Sequence, residues 1–299
     1  MSVSPTAAPA PLHEDQQHVS YYARARREFT RNRVAVACVI LLGLVALAAL
    51  FAEFLAPYDP YKQIVRERKQ APSALHYFGT DSLGRDVFSR VLHGGRISLQ
   101  VGIFSVALGA LVGVPLGVLA GFFGGWLDNL TMRSMDVILA FPGLILLIWL
   151  ATVLGPGVEN MILALAFFSL PTYTRLTRGN TLSIREMDYV LAARSLGASG
   201  MRIVFLHILP AIIPPIIVIT TLAVSGAIIA GASLSYLGLG VSPSTPEWGA
   251  MLADGRSFIR NEWWLSFFPG MVITLVVLAL NVIGDAMRDA LDPKVTAGR

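Results

Sequence analysis

The chain is poor in charge. Only 14% of its 299 residues are Asp, Glu, Lys or Arg, while 55% are hydrophobic; soluble globular domains carry about a quarter charged residues. Lysine occurs at Lys62, Lys69 and Lys294 alone, and no G-x-x-x-x-G-K-[ST] loop is present. That absence excludes nucleotide binding of the P-loop kind. The single cysteine, Cys38, excludes an intrachain disulfide, and its place inside an apolar run suits a packing residue. His13, His18, His76, His93 and His207 are scattered, with no H-E-x-x-H motif and no carboxylates at metal-ligand spacing. No metal site, bound cofactor or hydrolytic centre is expected. The net charge of +4 is modest and forms no nucleic-acid-like block.

What is present is a set of long apolar runs. The first, Val34–Leu55, is about 22 residues, long enough at 1.5 Å per residue to cross about 30 Å of hydrocarbon. It follows Arg24, Arg26, Arg27, Arg31 and Arg33, and such a cluster before the first span keeps the N-terminus inside. Five more spans are predicted at Ile97–Ala120, Met135–Leu154, Val158–Tyr173, Ile208–Ala232 and Phe267–Met287. The fold class is therefore an all-α integral membrane protein with six transmembrane helices and both termini cytoplasmic. Residues 1–33 read as a cytoplasmic tail, with 1–20 disordered, and 34–56 as the first span. A long outer loop follows over 57–96, then a helical core over 97–287 and a second inner tail over 288–299. Fourteen Lys/Arg fall in inside segments and nine in outside ones, which agrees with that orientation.

The span centres are nearly free of ionisable groups; Glu53, Asp136, Arg175 and Asp285 sit near span ends. Ion-coupled carriers commonly place such groups at membrane depth, so a self-contained carrier or channel is disfavoured. An integral membrane enzyme is disfavoured too, for want of a convergent catalytic set. In the second span Gly109, Gly113, Gly117 and Gly121 recur every four residues, one step after Ser105. On a helix they form a small-residue stripe that lets another backbone approach.

Two connectors stand out. The inner loop 177–207 contains Asp188, Leu191, Ala192, Ala193 and Gly197 and leads into Leu209 and Pro210. It reads as a helix up to Leu196, a glycine turn, and a second short helix with Ser199 at a position able to cap it, and with the small face Ala192–Ala193 free to enter a groove of another protein. In the outer loop, His76–Arg96 holds Gly79, Thr80, Asp81, Gly84, Arg85, Asp86, Arg90 and Arg96. Its pattern predicts an amphipathic helix begun by Thr80 or Asp81. Leu83, Val87 and Val91 would form one stripe, Asp81–Arg85 and Asp86–Arg90 would pair, and Gly94-Gly95 would end it. Such a helix would lie in the outer membrane interface as an elbow.

The Ala192-Ala193-x3-Gly197 … Leu209-Pro210 pattern resembles the EAA loop of permease subunits from binding-protein-dependent ABC importers. The His76–Arg96 block is similar to a signature of the C-type permeases of the dipeptide, oligopeptide and nickel family. Gly121–Asp128 with Met132, Arg133 and Asp136, Leu234–Pro243 through Glu247–Gly249, and Gly284–Pro293 extend the likeness from about Arg24 to Pro293. Leu191 stands where the family usually has a glutamate and His207 where it usually has an isoleucine; if that glutamate makes a polar contact with the ATPase, the contact is either missing here or supplied by a neighbour such as Asp188.

The resemblance implies a type I importer permease fold whose coupling helix, around Ala192–Gly197, docks on an ATPase. It implies a second, homologous permease subunit, two ATPase subunits that use ATP-Mg, and an extracytoplasmic substrate-binding protein, all at the bacterial cytoplasmic membrane. It also implies a peptide cargo, with nickel or another small solute as the alternative. The residues that bind cargo are not legible.

Overall fold

Asn32 marks the point where polar chain gives way to apolar. Its side-chain oxygen accepts hydrogen bonds from the Val34 and Ala35 N–H groups, both at 3.1 Å, and caps the helix that follows. The computed structural model describes residues 21–291. The expected tail 1–20 and the end of the chain, including Lys294 and Arg299, lie outside the described residues.

Among the described residues the fold is all-helical. A short helix α1 (Tyr21–Arg31) occupies part of the expected tail and packs on the last helix. The first apolar run then forms α2 (Arg33–Leu50) and one further turn, α3 (Ala52–Leu55), with the break at Phe51. The second span belongs to a 37-residue helix, α4 (Val87–Phe123). The third is broken into α5 (Gly125–Leu139) and α6 (Gly143–Leu154), bent by 91°. Pro142 supplies the reason, since it lacks an N–H and disfavours helix at the residue before it.

Helix α7 (Val158–Ile184) runs well past the expected end at Tyr173. After it come α8 (Asp188–Ser195), α9 (Gly200–Ile203), a single π turn over Val204–Ile208, α10 (Leu209–Tyr236), α11 (Trp248–Gly255) and α12 (Trp264–Leu291).

The span count departs from six uniform crossings. Among the described residues, four helices are long and apolar enough to cross a membrane: α2, α4, the run from Gly200 through α10, and α12. The bent α5–α6 pair makes a fifth. Helix α7 has the length, but Glu159, Asn160, Arg175 and Arg178 make it too polar to qualify by composition.

It is held instead by α4. A methyl group added at Gly113 would lie 3.1 Å from the Leu170 carbonyl oxygen, and one at Gly117 would lie 2.3 Å from that of Thr174. Gly109 and Gly121 face the Ala166 and Arg178 carbonyls in the same way. The two backbones meet directly along the stripe, and any side chain there would have to displace main chain.

The expected elbow helix is absent. Residues 76–86 form turns, and the helix starts only after Asp86, whose carboxylate accepts the Ser89 N–H at 2.8 Å. Gly94 and Gly95 do not end it. Neither has the positive φ that a glycine C-cap needs; both are buried where Trp248 and Ala49 press on the helix. They are small for packing, and α4 runs through them without interruption.

Candidate functional site: the α8 face, an inner cavity and a wired cap

By alternation of the helices, α8 lies on the same face as the start of α2 and the ends of α4 and α12. The opposite face carries residues 57–86 and α11. Each face holds one of the two blocks singled out in the sequence, and a cavity lies between them.

On the first face, the spacing of Ala193 and Gly197 has a backbone meaning. Gly197 adopts φ +82°, and its N–H donates to the Arg194 carbonyl at 3.0 Å, while the Ala198 N–H donates to the Ala193 carbonyl at 3.1 Å. This pair of bonds is a Schellman motif, which closes α8 and turns the chain back. Val190 is fully buried with Ile184, Ile203, Val204, Ile208 and Ile212, and Ala193, Ala198 and Leu209 pack against that cluster. The loop is therefore anchored by its inner side. Ala193 faces inward, which corrects its expected place on a free small-residue face; Ala192 is exposed. The outward side shows Asp188, Tyr189, Leu191 and Leu196, with Leu196 89% exposed. Pro210 is exposed in the first turn of α10, and His207 lies beside Tyr189, with ring centroids 6.0 Å apart.

Ion pairs brace this face from behind. Arg178 forms a forked pair with Asp128, Arg175 reaches Asp136 at 2.5 Å, and Arg185 donates to the Gly121 carbonyl at 2.8 Å. They fasten α7 to α5 and to the end of α4.

Between the faces, α4, α7 and α10 enclose a cavity of about 350 Å3. Its wall is apolar, with Val106 and Phe168, but Ser169, Thr172 and Tyr173 add hydroxyls. The Tyr173 hydroxyl lies 3.1 Å from Thr220 Oγ1. Ile219 and Leu222 also line a second hollow of about 540 Å3, which reaches Pro214, Pro215 and Arg288 near the end of α12. The two hollows adjoin at Ile219 and Leu222; the first has no Asp, Glu, His, Lys or Arg in its wall, and the second has Arg288. No sequence signal pointed to these residues, because serine, threonine and tyrosine on apolar helices carry no spacing motif.

On the second face, the block around Asp81 is buried rather than spread on a membrane surface. Asp81, Arg85, Asp86 and Arg90 are each at most 6% exposed. Asp81 accepts the Leu83 and Arg85 N–H groups at 2.8 and 2.9 Å and pairs with Arg85 Nε at 2.5 Å. Arg85 also reaches Asp254 at 3.3 Å. Asp86 does not pair with Arg90; it holds His76 Nδ1 at 2.9 Å and Ser89. Arg90 instead donates to the Pro60 and Ser244 carbonyls at 3.2 and 3.4 Å and lies 3.7 Å from Asp81.

Gly79 and Gly84 have φ of +74° and +77°, with Trp264 and the Ile64 carbonyl against them, so neither tolerates a side chain. Thr80 Oγ1 accepts the Gln70 N–H at 2.8 Å and donates to the Glu67 carbonyl. Arg96 stands apart, bridging Glu53 at 3.1 Å and the Leu50 carbonyl at 2.9 Å. Glu247, unremarked in the sequence as a cap, starts α11 by accepting the Gly249 and Ala250 N–H groups and Ser98 Oγ. Asp254, half-buried on α11, has its carboxyl pushed above the usual range by burial, against the opposing pull of Arg85.

Residues 113–297 match the family model described as binding-protein-dependent transport system inner membrane component. Residues 20–72 match the N-terminal TM domain of oligopeptide transport permease C. The chain is 46% identical over 270 residues to a glutathione transport system permease protein of Pectobacterium atrosepticum, covering 90% of each. It is 43% identical over 287 residues to a dipeptide transport system permease protein of Alkalihalophilus pseudofirmus, covering 96% of this chain and 94% of that one. Among solved structures, an inward-facing form of the MetNI methionine ABC transporter superposes with a TM-score of 0.57 at 19% identity, over 68% of this chain and 96% of that one. That likeness carries the fold, which is that of a type I ABC importer permease. With a cavity that carries three hydroxyls between the anchored α8 loop and a buried opposite cap, this chain belongs to the binding-protein-dependent transport system inner membrane components, as a multi-pass permease with an N-terminal segment of the oligopeptide permease C type.

Proposed function

We propose that this chain forms one half of the translocation pathway of an ATP-driven importer for small peptides. The tract from the Ser169–Thr172–Tyr173 cavity to the mouth at Arg288 is the part of that pathway that this chain contributes. A homologous permease supplies the other half, a binding protein delivers cargo at the cap around Asp81 and Asp254, and two ATPase subunits bind ATP-Mg and perform the hydrolysis. The relatives named for glutathione and for dipeptides support a short peptide as cargo. An apolar wall with the hydroxyls of Ser169, Thr172 and Tyr173 and without fixed charge suits a short peptide, since it binds weakly enough to release what it admits.

The observation that carries this reading is the two-sided α8. One side is locked to the bundle through Val190, so a push on α8 is transmitted to α7, α9 and α10. The other side presents Leu196, 89% exposed, and Leu191, 40% exposed, among the described residues, as a docking helix requires.

The test is Leu196→Asp in the assembled transporter in proteoliposomes. Membrane insertion and thermal stability stay at wild-type values, because the side chain is already in solvent. ATP-driven peptide uptake falls by at least about tenfold, the equivalent of losing one well-buried contact at the ATPase interface. Full uptake by this variant, or uptake by the chain without ATPase subunits, would refute the assignment.

A further inference from the structure

Where α1 meets the end of α12, a hollow of about 280 Å3 is lined by Glu28, Arg31, Asn32, Ala286, Asp289 and Ala290. Three of these carry charge, one cation and two carboxylates. Among the described residues, none of the three has an ion-pair or hydrogen-bond partner. Arg31 and Asp289 are exposed and Glu28 is half-buried, so all three side chains can be reached from outside the bundle. Unpaired charges of both signs around one hollow match a ligand that is itself of both signs.

We propose that this hollow binds the headgroup of a phosphatidylethanolamine molecule. The phosphate sits on Arg31, whose planar guanidinium suits phosphate oxygens. Asn32 spends its side-chain oxygen on capping α2 and keeps its amide nitrogen as a second donor. The N-terminus of the 18-residue α2 adds positive potential on the same side. The ammonium sits between Glu28 and Asp289, one acid from each of two helices, and its three N–H groups satisfy both.

A lipid is favoured over a free phosphoethanolamine by position. The hollow opens where the first span begins, at the polar–apolar boundary of the bilayer, and Val34, 62% exposed, stands two residues beyond Asn32 as an apolar wall for the acyl chains. Phosphatidylcholine offers the same charges, but its quaternary nitrogen has no N–H for the carboxylates. Phosphatidylglycerol has no cation. The site therefore selects on the ammonium and holds on the phosphate.

The test uses the full chain with its partner subunits in nanodiscs of equal phosphatidylethanolamine, phosphatidylcholine and phosphatidylglycerol, with retained lipid read by native mass spectrometry. The wild type keeps phosphatidylethanolamine at least about tenfold over either rival, a difference of about 1.4 kcal/mol. The double variant Glu28→Gln with Asp289→Asn brings phosphatidylethanolamine and phosphatidylcholine to parity, while Arg31→Gln lowers both alike. Asp285→Asn, an exposed acid one turn earlier on α12, leaves the preference unchanged. Equal retention by the wild type, or a preference that survives the double variant, overturns the proposal. Displacement of the lipid by millimolar glycerophosphoethanolamine would overturn its assignment to a lipid.

Discussion

The two faces of this permease are held by opposite means. The cap around Asp81 is wired by buried charge: Asp81 pairs with Arg85, Asp86 holds His76 and Ser89, and Arg90 donates through Nη1 to main-chain carbonyls while its Nη2 has no partner among the described residues. The α8 face has a buried apolar underside and an exposed apolar top, and its shape depends on one Schellman turn. Buried, hydrogen-bonded charges hold a single geometry because each broken contact leaves an uncompensated group. An apolar surface left in solvent is stable only if something else covers it. The contrast agrees with the proposed roles: a rigid end at the cap, and at α8 an end whose apolar top a partner would cover.

The comparison can be broken most sharply at Asp81. Asp81→Ala strips Arg85 of its closest partner and leaves two buried N–H groups unpaired, so a loss of about 3–5 kcal/mol is expected, seen as a lower thermal midpoint in detergent. Replacing Asp81 and Arg85 together by apolar residues should recover part of it. Equal stability of Asp81→Ala and wild type would mean that the cap is held by something other than its ions.

Next is the seam joining the two faces. Gly117→Val drives methyl groups into the Thr174 carbonyl and should cost about 1–3 kcal/mol or more by overpacking. Lowered yield of folded chain, read by size-exclusion chromatography, is the check.

At the docking face the effect on stability is smaller and the effect on function larger. Gly197→Ala meets no neighbour within 4 Å, so the only penalty is the left-handed backbone, about 1–2 kcal/mol. Gly197→Asn, which tolerates that region better, should lie between Ala and wild type. Both should insert normally, with ATP-driven uptake falling in the order Gly, Asn, Ala. Reversal of that order would separate the turn from coupling.

The smallest effect is expected at Asp254. Its carboxyl pKa is raised in the folded state, so the folded chain binds more protons than the unfolded one between the ordinary carboxylate range and the raised value. Stability contributed by this group is therefore present at lower pH and lost as pH rises through that window. Asp254→Asn should match or slightly exceed the wild-type melting temperature at neutral pH, with the gap closing on acidification. A gap that widens on acidification would show that the ion pair with Arg85 outweighs burial.

Much of this was legible along the chain. The glycine period in Gly109–Gly121 names a close helix contact because side-chain size on one helical face needs no knowledge of the partner. Ala193-x3-Gly197 names a helix end because the Schellman bonds span only six residues. The block His76–Arg96 was misread for a physical reason. Asp81 and Arg85 are four residues apart, which fits one helix face, but the same spacing fits a tight turn in which Asp81 accepts the Arg85 N–H. What tips the balance is Asp254, 169 residues beyond Arg85, together with Trp248 and Trp264.

The sequence by itself determined that the chain is helical, lives in a membrane, carries no nucleotide loop and places a capped turn before α9, because periodicity, hydropathy and capping act within a few residues. Only the tertiary structure decided that the signature block is a buried cap, that Ala193 faces inward, that the third span is bent, and where the cavity lies. Each of those depends on which distant segment removes water from a given side chain, and local spacing carries no record of that.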